Sequence, residues 1–279
     1  MQNPSQPRKP VGNPLPDGWR RRFLAEVDLR SSFTELEDCD HFVADTMRGY
    51  IRSLELRFNS AWSYFDRAYA KAATAAESIP NLVHQFLLNI YCFDNALIEA
   101  PLNTAGANLP DLWVPTEIPQ HVLHEYPEVR LVIQLRRNSE GILRLHLGDF
   151  CAAAEIFEQL IGENSLQPTV SGRGNLNALM MNYLGLAATQ INLGMADEAF
   201  VNLENAAFAV QSGGERINQA RAATILKAFY TFLERPTEAM DWELYLTRLP
   251  CPPDTVAVFL ERARIIQERC SLQSSLVLL

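Results

Sequence analysis

Residues 186–206 read LAATQINLGMADEAFVNLENA, and this stretch decides the fold. Three small residues punctuate it: Ala187, Ala199 twelve positions later and Ala206 seven positions after that, with Leu193-Gly194 between the first two. Two helices approach each other most closely where one presents Gly or Ala, because a large side chain of the partner then fills the gap. The stretch therefore predicts two antiparallel helices packed tightly at small side chains.

The same spacing occurs in two further stretches, which indicates internal repetition. In each copy the position four after the middle residue is large and apolar, so that a neighbouring helix can receive it. The other copies are Gly49/Ala61/Ala68 and Gly141/Ala153/Leu160, and the large residues are Phe65, Phe157 and Leu203.

A fourth, degraded copy is predicted over residues 215–248. Glu238-Ala239 resembles Glu198-Ala199, but Lys227 stands where the other copies have a small residue. A last helix starts at Pro252-Pro253-Asp254 and is apolar on one side only, which is typical of a helix that caps a repeat array.

Helical periodicity elsewhere, with no run of alternating β-branched residues, predicts an all-α chain with few or no strands. The remaining helices are expected near residues 41–56, 59–77, 80–100, 128–147, 149–162, 175–193 and 196–211.

The second and third copies resemble tetratricopeptide repeats. Residues 41–77 and 215–248 resemble the family less closely, and Ala153 and Ala199 lie 46 positions apart where adjacent repeats of the family recur at about 34. The resemblance implies an α-solenoid of antiparallel helix pairs, a right-handed superhelix with a C-terminal capping helix. The residues that carry it are Leu147-Gly148-Asp149-Phe150, Ala153, Phe157, Leu186-Ala187, Leu193-Gly194, Glu198-Ala199, Leu203 and Ala206.

Domain organisation is read from composition. Residues 1–18 are rich in Pro, Asn, Gln and Ser and are predicted to be a disordered tail. Residues 19–279 are predicted to form a single helical domain, interrupted by a proline-rich insertion at 101–127.

Composition also restricts the class of function. A net charge of -9 disfavours a nucleic-acid binder, which needs a concentrated basic face. The five cysteines are widely spaced without a Cys-x-x-Cys pair, which favours reduced, mostly buried thiols in a cytoplasmic protein. No apolar run is long enough to span a bilayer, so no membrane association is expected.

The resemblance implies a partner-binding groove lined by the first helix of each unit. The candidate positions are mostly apolar, and only Asn138 resembles the polar clamp with which some members hold a carboxylate. An apolar helix or peptide, or the chain itself through residues 101–127 or 276–279, is expected to fill this groove. The candidate groove residues are Tyr50, Asn138, Ile142, His146, Met181, Leu184 and Ala188.

The expected function is a non-catalytic adaptor that binds a protein or peptide, with no cofactor and no metal. The alternative is a regulatory or sensory module that holds a small apolar ligand or peptide inside the superhelix, and an enzyme comes third. Two motifs contain residue types that can bind a metal or act as a nucleophile. His121 and His124 are expected to be ordinary surface histidines and not metal ligands. Beside Cys39 and His41, Asp38 or Asp40 is expected to cap a helix. Gly172-Arg173-Gly174 favours a loop, and the basic cluster Trp19-Arg20-Arg21-Arg22 favours solvated charge.

Overall fold

The computed structural model of the chain describes residues 18–55, 128–166 and 173–273, together with scattered positions between 57 and 71. All regular secondary structure in these ranges is helical, so the predicted all-α class is confirmed for this part of the chain. The predicted helix at 80–100, the insertion at 101–127, and residues 1–17 and 276–279 lie outside it. The helices are α1 (Trp19–Glu26), α2 (Leu29–Leu36), α3 (Phe42–Leu54), α4 (Glu128–His146), α5 (Phe150–Leu166), α6 (Arg173–Asn192), α7 (Ala196–Ser212), α8 (Arg216–Phe232), α9 (Pro236–Arg248) and α10 (Pro253–Gln273).

These bounds agree with the predicted helices to within a few residues, and Pro236 and Pro253 occupy first-turn positions, where proline's missing N–H is no loss. The connection between the predicted helices 149–162 and 175–193 is shorter than expected, because α5 continues to Leu166 and α6 already begins at Arg173. The loop assignment of Arg173-Gly174 is therefore wrong.

The turn between the two helices of the second, third and fourth units repeats bond by bond. Gly148 N–H donates to the Leu145 carbonyl at 3.1 Å and Asp149 N–H to the Arg144 carbonyl at 2.9 Å, a pattern that closes a helix with a left-handed residue. The same pair of bonds recurs at Gly194-Met195 and at Glu234-Arg235. Each second helix then opens with the same bond, from the N–H groups of Ala61, Ala153, Ala199 and Ala239 to the carbonyls of Arg57, Asp149, Met195 and Arg235.

The small residues of the three regular copies are all buried, as the close-packing interpretation requires. The clearest seam is formed by Phe157 of α5, whose side chain is 0% exposed. A Cβ atom added at Gly141 of α4 would lie 2.8 Å from its ring, and one added at Gly185 of α6 would lie 2.4 Å away. Phe157 thus fills a gap between two first helices. Gly185 was not part of the predicted spacing, which marked Ala187 instead.

The fourth unit replaces this packing with an ion pair. Lys227 and Glu243 hold the positions that Gly141 and Phe157 hold in the second unit, sixteen residues apart in both cases. Lys227 Nζ lies 3.4 Å from Glu243 Oε2, at a site where both side chains retain contact with solvent. The departure at Lys227 is therefore matched by a second substitution on the facing helix.

The N-terminal helices pack against the C-terminal half of the chain. Arg216 at the start of α8 donates to the Ala25 carbonyl at 3.0 Å, and Arg262 of α10 donates to the Ser53 carbonyl at 3.1 Å. Helix α1 also packs against α8, and one contiguous core cluster includes buried residues from Trp19 to Cys270. The first unit thus lies beside the helices that end the chain.

Helix α3 begins with a cap that differs from the expected one. His41 Nδ1 accepts a bond from Val43 N–H at 3.2 Å, so the expectation that Asp38 or Asp40 caps this helix is wrong. Asp40 is occupied elsewhere, since its carboxylate pairs with Lys71. Cys39 is buried, with its Sγ 3.8 Å from the Glu35 carbonyl oxygen.

Candidate binding groove

Six of the seven predicted groove residues lie on α4 and α6, the first helices of the second and third units, and α8 is the corresponding helix of the fourth unit. Helix α6 packs against both α4 and α8, and each of the three also packs against the second helix of its own unit. The Phe157 ring lies between Gly141 of α4 and Gly185 of α6, where both helices approach it closely. Close contacts between the units thus set the backbone positions of the predicted groove residues on α4 and α6.

The seven candidate groove residues fall into two groups. Leu184 and Ala188 of α6 are fully buried within the chain at 0% exposure, so neither presents surface to a partner in this conformation. Their apolar character reflects a role in the core. The partly exposed candidates are Tyr50, Asn138, Ile142, His146 and Met181.

Asn138 ties the two units together. Its Nδ2 donates to Asn182 Oδ1 at 2.8 Å across the α4–α6 contact, and Asn182 is almost completely buried. An amide engaged in this way satisfies a buried acceptor, which would be costly to leave without a hydrogen bond. The side chain that most resembled a carboxylate clamp therefore contributes to the packing between units.

Tyr50 stands apart from the other candidates. Its ring packs edge-on against Phe23 of α1 at a centroid distance of 6.2 Å, and α1 packs in turn against α8. The remaining partly exposed positions, Ile142, His146 and Met181, lie on the adjacent helices α4 and α6.

In the fourth unit, α10 lies against one of the positions equivalent to the predicted groove residues. Thr224 and Ala228 stand at the same distances from Lys227 as Leu184 and Ala188 do from Ala187. Both are buried, and Thr224 Oγ1 lies 3.5 Å from the carbonyl oxygen of Phe259 in α10. Helix α10 therefore lies against this part of α8.

The sequence leaves the occupant of the predicted groove open between a partner and the segments 101–127 and 276–279. Helix α10 was not predicted to have this role. The signal was present in the one-sided pattern of α10, whose buried face includes Phe259, Ala263 and Ile266. That pattern had been assigned to a capping helix.

The described residues also contain a buried charged cluster that the sequence reasoning missed. Asp45 of α3 is only 1% exposed, and its carboxylate lies 2.7 Å from Arg48 Nη1, 2.7 Å from Lys71 Nζ and 3.4 Å from Arg67 Nη2. A buried carboxylate needs such partners, because desolvation of an uncompensated charge is costly. The cluster joins α3 to the following helical residues.

Lys71 also contacts the loop before α3. Its hydrogen bond to Asp40 lowers the pKa of that carboxyl group, while burial, reinforced by the positive charge of Lys71, lowers the pKa of His41. The lowered pKa favours the neutral form of His41, in which Nδ1 can accept the bond from Val43 N–H.

Within the described ranges, no three His, Cys, Asp or Glu side chains are grouped so that they could hold a metal ion. His121 and His124 lie outside those ranges. The four described cysteines, Cys39, Cys151, Cys251 and Cys270, are free thiols, and only Cys39 and Cys270 are buried. None of the described helices combines the length and apolar character needed to cross a bilayer.

Compared with models of known protein families, with curated proteins and with solved structures, the chain matches none of them.

Proposed function

We propose that the chain is a non-catalytic adaptor built from helix pairs of the tetratricopeptide type, and that it holds a helical segment of a protein partner in the groove lined by its first helices. The single observation that carries this proposal is the packing of α10 against α8, with Thr224 Oγ1 3.5 Å from the Phe259 carbonyl oxygen. The first helix of one unit thus already receives a helix from elsewhere in the chain. An amphipathic helix in an apolar groove is a common mode of peptide recognition.

The part of the groove assigned to the partner is the surface of α4 and α6. Ile142 and Met181 supply partly exposed apolar contacts there, and His146 adds a polar one at the end of α4. Leu184 and Ala188 support these helices from within the core. The partner is therefore expected to be a helix with an apolar face that follows the groove beyond α10.

The proposal is tested by co-purification from native lysate with the full chain. Met181→Glu and Ile142→Glu place charges on the proposed surface, and each should abolish recovery of a stoichiometric partner while far-UV circular dichroism and the unfolding midpoint stay near those of the parent protein. Leu184→Glu is unsuitable, because a charge at a fully buried position is expected to unfold the chain.

The matched control is Leu147→Glu, which places the same charge on an exposed leucine in the turn after α4. This variant should retain the partner. Loss of the partner in the control, or its retention in both groove variants, would refute the assignment of the groove.

A further inference from the structure

Helices α7 and α9, the second helices of the third and fourth units, lie side by side and run parallel. At their starts, the Arg235 guanidinium stacks over the Phe200 ring at 5.2 Å from its centroid. At their ends, the Tyr245 hydroxyl donates to the Val210 carbonyl at 3.4 Å. Two helices joined at corresponding ends run parallel, and their solvent-facing sides form the outer surface of the third and fourth units.

This outer surface carries the most exposed large apolar side chains in the part of the chain that the structure describes. Phe208 is 70% exposed and Met240 is 71% exposed, and Val201 and Leu244 are also open to solvent. Val201 and Phe208 are seven residues apart on α7, and Met240 and Leu244 are four apart on α9, so each pair shares one face of its helix. A cluster of exposed apolar side chains on adjacent helices is typical of an interaction surface.

Helices α7 and α9 carry mostly negative charge. Helices α7 and α9 together carry six acidic residues against one basic residue, Arg248. Helices α4, α6 and α8 on the other side of the units carry eight basic residues against two acidic ones. The acidic residues of α7 and α9 are Asp197, Glu198, Glu204, Glu238, Asp241 and Glu243.

Internal ion pairs account for only part of this negative charge. Glu238 pairs with Arg235, and Glu243 pairs with Lys227. Burial raises the pKa of Tyr230, and the negative charges of Glu204 and Glu238, one from each helix, add to this effect. Asp197, Glu198 and Asp241 are exposed.

We infer that the outer surface formed by Val201, Phe208, Met240 and Leu244 binds a basic amphipathic helix of a partner protein. The apolar side of that helix would cover these four side chains, and its Lys or Arg residues would meet the carboxylates of Glu204 and Asp241. The partner helix is expected to be positively charged, because like charges across an interface repel and this surface is acidic. This surface lies on the second helices, so the inference is independent of the groove on the first helices.

Binding is tested with the full chain and two labelled synthetic helices of about 18 residues, about five turns. Both have the same leucine face; one carries lysine and the other glutamate on the polar face. Fluorescence anisotropy should show binding of the Leu/Lys helix, at least tenfold weaker binding of the Leu/Glu helix, and weakening of the former as salt rises from about 50 mM to about 200 mM.

Two pairs of substitutions locate the site. Phe208→Ser with Met240→Ser should weaken binding of the Leu/Lys helix by tenfold or more, with the fold intact because both side chains are largely exposed. Glu204→Lys with Asp241→Lys should weaken it and flatten its salt dependence.

A control at another exposed position tests whether the effect is confined to this surface. Leu147→Ser removes an exposed leucine from the turn after α4 and should leave binding unchanged. Equal binding of the two synthetic helices, or unchanged binding in both paired variants, would overturn the inference. So would self-association that Phe208→Ser abolishes, because a second copy of the chain would then be the occupant.

Discussion

A single methyl group at residue 185 is expected to destabilise the packing of α4, α5 and α6. In Gly185→Ala the new Cβ would lie 2.4 Å from both Cε1 and Cζ of Phe157 and 2.8 Å from Cδ1. The ring cannot retreat towards α4, because a Cβ at Gly141 would already lie within 2.8 Å of it. Phe157 is fully buried, so the helices themselves must move apart.

The expected magnitude has two opposing contributions. Overpacking a dense core costs about 1–3 kcal/mol. Replacing glycine by alanine within a helix contributes about 0.8–1 kcal/mol in the stabilising direction. The free energy of unfolding of Gly185→Ala should therefore fall by up to about 2 kcal/mol.

Gly162→Ala is the matched control, because Gly162 also lies inside a helix, α5, but a Cβ there would meet no atom within 4 Å. It should gain about 1 kcal/mol, so the difference between the two variants isolates the overpacking cost of about 1–3 kcal/mol. Chemical unfolding with unchanged denaturant dependence measures both free energies. Gly185→Ala should also cost less when combined with Phe157→Leu, which leaves space beside residue 185. Stabilisation of Gly185→Ala to the level of Gly162→Ala would refute the close approach of these helices.

Three further predictions concern stability. Glu234 adopts a φ of 56°, a conformation that favours glycine, so Glu234→Gly should raise the free energy of unfolding by about 1 kcal/mol. Gly194 has a φ of 79° at the equivalent turn, so Gly194→Ala should lower the free energy of unfolding. Chemical denaturation measures both values. Burial lowers the pKa of His41, so the unfolded chain takes up a proton first and stability declines as the pH falls from about 7 to about 5. His41→Asn keeps a capping side chain without this titration and should show a smaller decline in unfolding free energy over that range; an unchanged decline would assign it to other groups. Ala199→Leu adds volume at a position with 0% exposure and should cost about 1–3 kcal/mol by the same measurement, so an unchanged stability would contradict the close packing of the third unit.

Much of the fold could be predicted from the sequence because its signals are local. The repeated turns depend on residues within six positions of one another, and Leu147-Gly148 and Leu193-Gly194 announce two of them. Small residues at fixed spacing indicate where two consecutive helices meet, since a short turn leaves those helices few other ways to pack. The ion pair between Lys227 and Glu243 was not predicted. Glu243 is recognised as the facing residue only when the fourth unit is aligned with the second and third units, where Phe157 and Leu203 hold the same position.

The candidate site was harder to predict than the helices that carry it. Met181 and Leu184 lie three positions apart on α6, yet one remains partly exposed and the other is fully buried. The helical period places both residues towards the same side, but exposure depends on what the rest of the chain lays over each of them. Asn138 resembles a ligand-binding side chain in the sequence, but in the structure it donates a hydrogen bond to Asn182, 44 residues away.

The helical class, the bounds of most described helices and the small residues at which they pack follow from the sequence, because hydrophobic period, turn residues and side-chain volume act over short distances along the chain. Three other features are visible only in the tertiary structure. The N-terminal helices lie beside α8 and α10, α10 lies against Thr224, and α7 and α9 form one acidic surface with exposed Phe208 and Met240. The N-terminal contacts join residues about 200 positions apart, as between Arg262 and Ser53. No local pattern specifies which of the many apolar faces meet over such a separation, because that choice depends on the packing of the whole chain.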